Sequence, residues 1–334
     1  GLQYTPAADA TGMVTVTVSA DDLGRAGTAR MVGTDTKMVT VDITPVNDAP
    51  RFAGVVAMVT HTEGDASTAL ASAATVTDVD STVMSSLAVR TLGTWLSEDA
   101  VQVAAGGGVT LAGNDVSVDG TLVGTLVAPG ANALLMTLNA AATPARVTSV
   151  VRQLRYVNSG GDNPTAGARA LSIRVVDDGM AAGDAAVTVN VVAVNDPPVV
   201  TVPATLNIDE DASTTAIMGV SVADPDSTTL QVTLTVSGLG NLGLGTVTGL
   251  MGAPAANDPF INSTFTGSLA NINAALASLS FTPTANANGT ATVTVSASDL
   301  AMPTAGTDMK TFNIVIAPQP DDPVISDGGA VAMT

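Results

Sequence analysis

The sequence predicts an all-β chain of tandem antiparallel β-sandwich modules, with one short helix in each whole module. Three observations lead there. Apolar and polar residues alternate with period two along much of the chain, as where Val14, Val16 and Val18 alternate with Thr15 and Thr17, the pattern of a strand buried on one face. Apolar residues make up 46% of the 334 residues but aromatics only 2%, with 32 glycines, so cores must be assembled from Val, Ala, Leu, Ile and Met on short strands between turns. One phrase also returns where alternating blocks end: Val46-Asn47-Asp48-Ala49-Pro50, Val194-Asn195-Asp196-Pro197-Pro198 and, more loosely, Pro320-Asp321-Asp322-Pro323. Proline fixes φ and ends sheet pairing, while Asn and Asp accept turn geometry. The phrase reads as a hinge between modules.

Taken in order, residues 1–50 are the back half of a module, with strands predicted near residues 2–5, 13–20 and 37–44. Their opening, Leu2-Gln3-Tyr4-Thr5-Pro6 followed by TGMVTVTVSADDLG, matches Leu279-Ser280-Phe281-Thr282-Pro283 followed by NGTATVTVSASDLA, with a looser copy from Leu154-Arg155-Tyr156 through ALSIRVVDDG. Residues 51–198 form a whole module and residues 199–323 a second, shorter one. The two share upstream motifs: Glu63 with Asp78-Val79-Asp80 in one, Glu210 with Asp224-Pro225-Asp226 in the other. The extra length lies around residues 93–130, and residues 324–334 are the first strand of a further module. Val147, Val150, Val151 and Leu154, and likewise Leu269, Ile272, Leu276 and Leu279, fall on one helix face. Each piece is too short to stand alone and is expected to pack as a crossover over the end of a sandwich. A half module leaves apolar strand faces uncovered, so residues 1–50 are expected to be completed by a longer chain or by another one.

The chain carries 30 acidic and 11 basic residues, a formal charge of −19, and Lys37 and Lys310 are its only lysines. That sign excludes nucleic acid and membrane surface as partners, because both require positive charge to displace counterions. With no cysteine, the chain has neither disulfides nor thiolate ligands. No run approaches the roughly 18 apolar residues of a membrane span. The first residues do not spell a secretory signal, so any address is expected on a longer chain.

The acidic residues fall at strand ends: Glu210 after the first strand of its module, Asp224 and Asp226 after the second, Asp299 after the penultimate one, and Asp321 and Asp322 at the exit. Alternating strand directions bring Asp224, Asp226 and Asp299 to the end that receives Asn195 and Asp196. Carboxylates and an amide oxygen gathered without lysine or arginine suit Ca²⁺, which takes six to eight oxygens. Without an ion, those charges repel. The same residue types also make ordinary turns; recurrence in register is what favours calcium.

These residues resemble the cadherin-like repeats found in tandem in large bacterial surface proteins and, less closely, the cadherin ectodomain. The resemblance covers nearly the whole chain and implies Greek-key, Ig-like sandwiches joined by calcium-bound linkers in a secreted or cell-surface stalk or adhesive array. Carried over by position, it implies a first junction of Asn47, Asp48, Asp78, Asp80 and Asp178, with Asp177 as the substitute for Asp178 and Asp21 or Asp22 equivalent in the half module. The second junction would use Glu63, Asn195, Asp196, Asp224, Asp226 and Asp299, and a third Glu210, Asp321 and Asp322. The Leu-Asp-x-Glu motif of true cadherins is missing, which leaves the ion count per junction open.

Two rival functions are a fibre subunit completed by strand donation between copies and a glycan- or ligand-binding module using residues 93–130. An enzyme is disfavoured, since no nucleophile is paired with a base. His61, the one histidine, reads as a solvated strand residue, and Trp95 as a buried plug. Gly238-Leu239-Gly240-Asn241-Leu242-Gly243 spells a dinucleotide fingerprint but precedes no helical pattern, so it reads as a loop between strands.

Overall fold

The computed structural model describes residues 1–23, 33–128, 132–301 and 304–320. The chain divides into two compact units, Gly1–Val192 and Ala193–Thr334. The first opens with a hairpin of β1 (Gly12–Asp21) and β2 (Thr34–Ile43), whose strands pair with each other alone among the described strands. Val14 and Val16 stand opposite Val41 and Val39, so one face of the hairpin is a valine surface. Residues 2–5, predicted as a strand, form none, although Leu2 and Tyr4 help line a hollow of about 310 Å³ with Val16, Val18, Val39 and Val41.

The whole module that follows starts with β3 (Arg51–Ala53), β4 (Met58–Thr62), β5 (Thr68–Ala69) and β6 (Thr75–Thr77), then β7 (Met84–Thr91) and β8 (Asp99–Val103). The extra middle becomes β9 (Val109–Ala112), β10 (Asp115–Val118) and β11 (Thr121–Val127), before β12 (Asn132–Leu138), α1 (Pro144–Arg152), β13 (Leu154–Asn158), β14 (Gly167–Asp177) and β15 (Ala182–Val192). One sheet runs β4-β15-β14-β7-β12-β11-β10-β9 and the second β5-β13-β8. Their inward residues, among them Val89, Met136, Ile173, Val189, Val101 and Tyr156, form one buried core with Val147, Val150 and Val151 of α1. Pairing is antiparallel except between β4 and β15, which run parallel. The insertion therefore widens an existing sheet.

The second unit repeats this plan with fewer strands: β16 (Val199–Thr201), β17 (Leu206–Asp209), β18 (Thr215–Ala216), β19 (Ser221–Ala223), β20 (Thr229–Val236), β21 (Gly240–Leu244), β22 (Asn262–Ser268), α2 (Leu269–Ala277), β23 (Leu279–Pro283), β24 (Gly289–Ser298) and β25 (Thr307–Ala317). Its sheets run β17-β25-β24-β20-β22 and β18-β23-β21, and β17 lies parallel to β25 as β4 does to β15. The all-β sandwich prediction therefore holds, with one parallel edge pair in each whole module.

The two helices start for the same local reason. Thr143 and Ser268 stand at their N-caps and accept hydrogen bonds from the Arg146 and Asn271 amides, and Pro144 adds a preset φ to the first. Leu154 and Leu279, expected on the helix faces, instead begin the next strands. Each helix also steadies a strand beside it: Thr148 Oγ1 accepts from the Val76 amide at 2.8 Å, and Asn273 Oδ1 from the Val222 amide at 2.9 Å.

Candidate metal centres at the hinges

Register fixes which residues correspond. Gly167 pairs with Val191 and Gly289 with Ile316, so ten residues further along β14 and β24 Asp177 matches Asp299, and by the same count from Gly12 the half module offers Asp22. Asp177 is fully buried and Asp299 4% exposed, whereas Asp178 lies on the surface. The expected Asp178 is thus replaced by Asp177, because strand alternation turns Asp177 inward and Asp178 outward. Asp22 rather than Asp21 shows the matching turn, exchanging backbone and side-chain bonds with Gly33.

The first hinge folds back onto this carboxylate. Asn47 Nδ2 donates to Asp177 Oδ2 at 3.0 Å, and the Asp48 amide donates to Asp80 Oδ2 at 3.2 Å. The Asp80 and Ser81 amides both donate to Asp78 Oδ1, at 3.1 and 2.8 Å. Gly179 allows the approach, since a Cβ there would stand 2.1 Å from Asn47 Oδ1. The second hinge repeats the wiring bond for bond: Asn195 Nδ2 to Asp299 Oδ2 at 2.6 Å, the Asp196 amide to Asp226 Oδ2 at 2.6 Å, and the Asp226 and Ser227 amides to Asp224 Oδ1 at 3.0 and 2.6 Å. Within each unit, then, five of the proposed oxygen donors are gathered at one strand end.

Each cluster leaves the same atom over. Asp78 Oδ2 and Asp224 Oδ2 are buried and accept no hydrogen bond among the described residues. An orphaned carboxylate oxygen carries the full cost of lost hydration. Burial pushes the Asp78 carboxyl above its ordinary range; the Ser81 and Asp80 amides pull it down, and the Asp80 carboxylate pushes it up again. Burial also pushes Asp299 up, but the bonds from Asn195, Ala301 and Gly306 outweigh it and hold the group below the usual carboxylate range. The network around Asp299 thus favours its charged form, whereas burial makes charging Asp78 costlier.

The remaining expected positions differ. Glu210 is buried and satisfied, its Oε2 accepting from Asn288 Nδ2 at 3.0 Å and its Oε1 from the Gln319 amide at 2.6 Å. Asp321 and Asp322 lie outside the described residues. Glu63 follows β4 in the first unit, where its amide donates to the Val192 carbonyl at 2.9 Å. A carboxylate oxygen of Glu63 lies within 4.8 Å of one of Asp162.

His61 corrects another expectation, being 2% exposed. The parallel pairing of β4 sets it opposite Val191 and turns it into the core, where Nδ1 meets Thr68 Oγ1 at 2.9 Å and the ring stands edge-on to Tyr156 at 4.9 Å. Trp95 is half-buried, 6.2 Å from the same ring. Gly238, at φ +65°, makes a turn into β21 rather than into a helix.

No protein-family model matches the chain, and no curated sequence matches it. Among solved structures it is similar to cadherin ectodomains. Extracellular cadherin domains 1–5 of protocadherin gamma B2 share 14% identity with it over 92% of this chain and 46% of that one, with a TM-score of 0.36. Mouse cadherin-23 EC22–24 shares 13% over 95% and 78%, with a TM-score of 0.33. Drosophila N-cadherin EC1–4 shares 15% over 92% and 58%, with a TM-score of 0.32. The chain spans 46% and 59% of the two protocadherin structures of gamma B2 and gamma B7 that it matches. Among the described residues, no helix is long and apolar enough to cross a membrane.

Proposed function

We propose that the chain is a structural and adhesive repeat segment of a large extracellular or cell-surface protein, in which calcium fastens each hinge onto the module it enters. One observation carries the reading: the same buried oxygen, Asp78 Oδ2 in one unit and Asp224 Oδ2 in the other, lacks a hydrogen bond among the described residues. Both repeats keep one costly arrangement, and a cation would remove the cost in both.

The donor set fits calcium. Asn47, Asp48, Asp78, Asp80 and Asp177 would hold one ion, and Asn195, Asp196, Asp224, Asp226 and Asp299 another. All donors are oxygens, and Ca²⁺ accepts six to eight of them in flexible geometry. The ion would supply positive charge that carboxylates on the hinge and on the module can share. The chain's own residues do the rest: backbone amides orient Asp78, Asp80, Asp224 and Asp226, and the hinge asparagines anchor to Asp177 and Asp299. The prolines that follow limit bending of the hinge itself.

Thermal unfolding of the full chain with calcium and with chelator tests this. Linkage predicts a stabilisation of about 3 kcal/mol at 100-fold excess over Kd, lost from the second unit alone in Asp224→Asn. Equal melting in calcium and chelator contradicts the proposal.

The bare valine face of the β1–β2 hairpin favours a second reading, completion of residues 1–50 by strands of another chain. Concentration-dependent polymer in light scattering supports it, and a monomer at every concentration counts against it.

A further inference from the structure

We infer that the outer edge of β8 in the first unit is a docking site for an extended segment of another polypeptide, one that sets an acidic residue immediately before a bulky apolar one. The site is separate from the hinge clusters and needs no calcium.

The second unit shows what such an occupant looks like, because there the chain supplies its own. Between β21 and β22 it turns back onto the small sheet, and Leu242 and Phe260 exchange both backbone bonds. The Leu242 amide donates to the Phe260 carbonyl at 2.8 Å, and the Phe260 amide to the Leu242 carbonyl at 2.9 Å. Phe260 is 9% exposed and joins the core of its unit. In the first unit the stretch between the corresponding strands, β8 and β12, forms β9, β10 and β11 instead, which extend the other sheet. Val101 stands opposite Tyr156 as Leu242 stands opposite Phe281. Yet β8 has no neighbour on its outer side among the described strands.

Backbone, hollow and charge each define the occupant. The Ser159 amide bonds to the Glu98 carbonyl and the Ala104 amide to the Gln153 carbonyl, so antiparallel alternation turns the amide and carbonyl of Val101 away from β13, toward the outer edge. An added strand pairs with them as in β-augmentation. Beside Val101 lies a hollow of about 210 Å³, lined from β8 by Val101 and Val103 and from the other sheet by Leu126, Val127 and Leu134. It is smaller than a small-molecule pocket of roughly 300–1,000 Å³ and suits one large apolar side chain, as Phe260 is in the second unit. On the opposite face of the strand Gln102 stands across from Arg155. No carboxylate pairs with Arg155 among the described residues, although the chain carries a charge of −19. Alternation sends the residue before the apolar one to this face, where charge complementarity with Arg155 selects an acid. At the matching places the second unit has Ser280 and, before Phe260, Pro259, neither of them charged.

The test is a fluorescence-anisotropy titration of the full chain, in chelator and in calcium, with a labelled synthetic peptide of residues 255–263 carrying Pro259→Asp. Saturable binding is expected in both media, with slowed hydrogen exchange across residues 99–103. Methylating the Phe260 amide nitrogen of the peptide removes the donor to the Val101 carbonyl and should weaken binding about 10-fold. Val127→Glu, at a position 40% exposed, puts charge at the hollow without disturbing the core and should weaken binding at least as much. Arg155→Ala should weaken the Pro259→Asp peptide severalfold and leave the unsubstituted peptide nearly unchanged, a difference that general destabilisation would not produce. No saturable binding of the Pro259→Asp peptide up to about 1 mM overturns the inference, as does binding indifferent to N-methylation and to Val127→Glu. Equal weakening of both peptides by Arg155→Ala overturns the choice of an acidic partner.

Discussion

Tyr156 and Phe281 occupy matching places in the two whole modules, each paired across to the strand that leads into its core. Where the second module carries Ile208, Gly240 and Ala291, the first carries His61, Asp99 and Arg169 at the matching register positions. Gly240 is required by the ring, since a Cβ there would stand 2.4 Å from Phe281 Cζ. In the first module the aspartate side chain takes that side and receives the tyrosine hydroxyl. One backbone plan thus tolerates a dry filling or a wired one, provided every polar member of the wired one has a partner. The hinge clusters show the opposite behaviour, with the same bonds and the same orphaned oxygen in both units.

The largest effect that would break this comparison comes from cutting the wired core. Arg169→Ala leaves Asp99 buried without its cation and should cost about 3–5 kcal/mol. Urea unfolding of the full chain is expected to separate into two transitions, with only the first unit's shifted; a single unshifted transition would show that Asp99 does not depend on its partner. Next comes the calcium effect, which Asp78→Asn and Asp224→Asn should diminish separately, one per unit. Loss in both units from either single variant would contradict two independent clusters.

Phe281→Tyr sharpens the contrast from the other side. The new hydroxyl enters a core with no carboxylate to receive it, and should cost about 1–3 kcal/mol in the denaturant midpoint of the second unit. Acid provides a smaller test. Burial lowers the His61 pKa below the ordinary 6.5, with Asp65 and Asp99 partly offsetting it. The unfolded chain therefore takes up the proton first, and the first unit keeps its full stability above about 6.5 and loses part of it as pH falls toward the lower folded value. His61→Gln should flatten that dependence in hydrogen exchange of β4, and the second unit, with Ile208 at the matching place, should show none of it. Smallest is Ser268→Ala at the α2 cap, expected to cost about 1 kcal/mol in thermal unfolding.

Much of this was readable before any coordinates. Valine alternating with polar residues marks β1, β15 and β24 because one face of each is meant for a core, and apolar spacing along one face locates both helices. The hinge clusters were legible as groups of residues because Asn-Asp and Asp-x-Asp recur in register. What failed is instructive. Asp178 and Asp177 are adjacent in sequence, and only the pleat decides which turns inward. His61 looked solvated because its strand is rich in threonine, and the parallel pairing that buries it is a long-range contact. Asp99 and Arg169 are 70 residues apart, so no local pattern announces their pairing.

The most direct test of the central claim is a crystal structure of the chain grown in calcium, compared with one grown in chelator. The account predicts a cation bound at about 2.3–2.6 Å from oxygens of each hinge cluster, including Asp78 Oδ2 and Asp224 Oδ2, which accept no hydrogen bond among the described residues. Water at both places in calcium, with the hinge residues unmoved and the melting temperature unchanged, would contradict it.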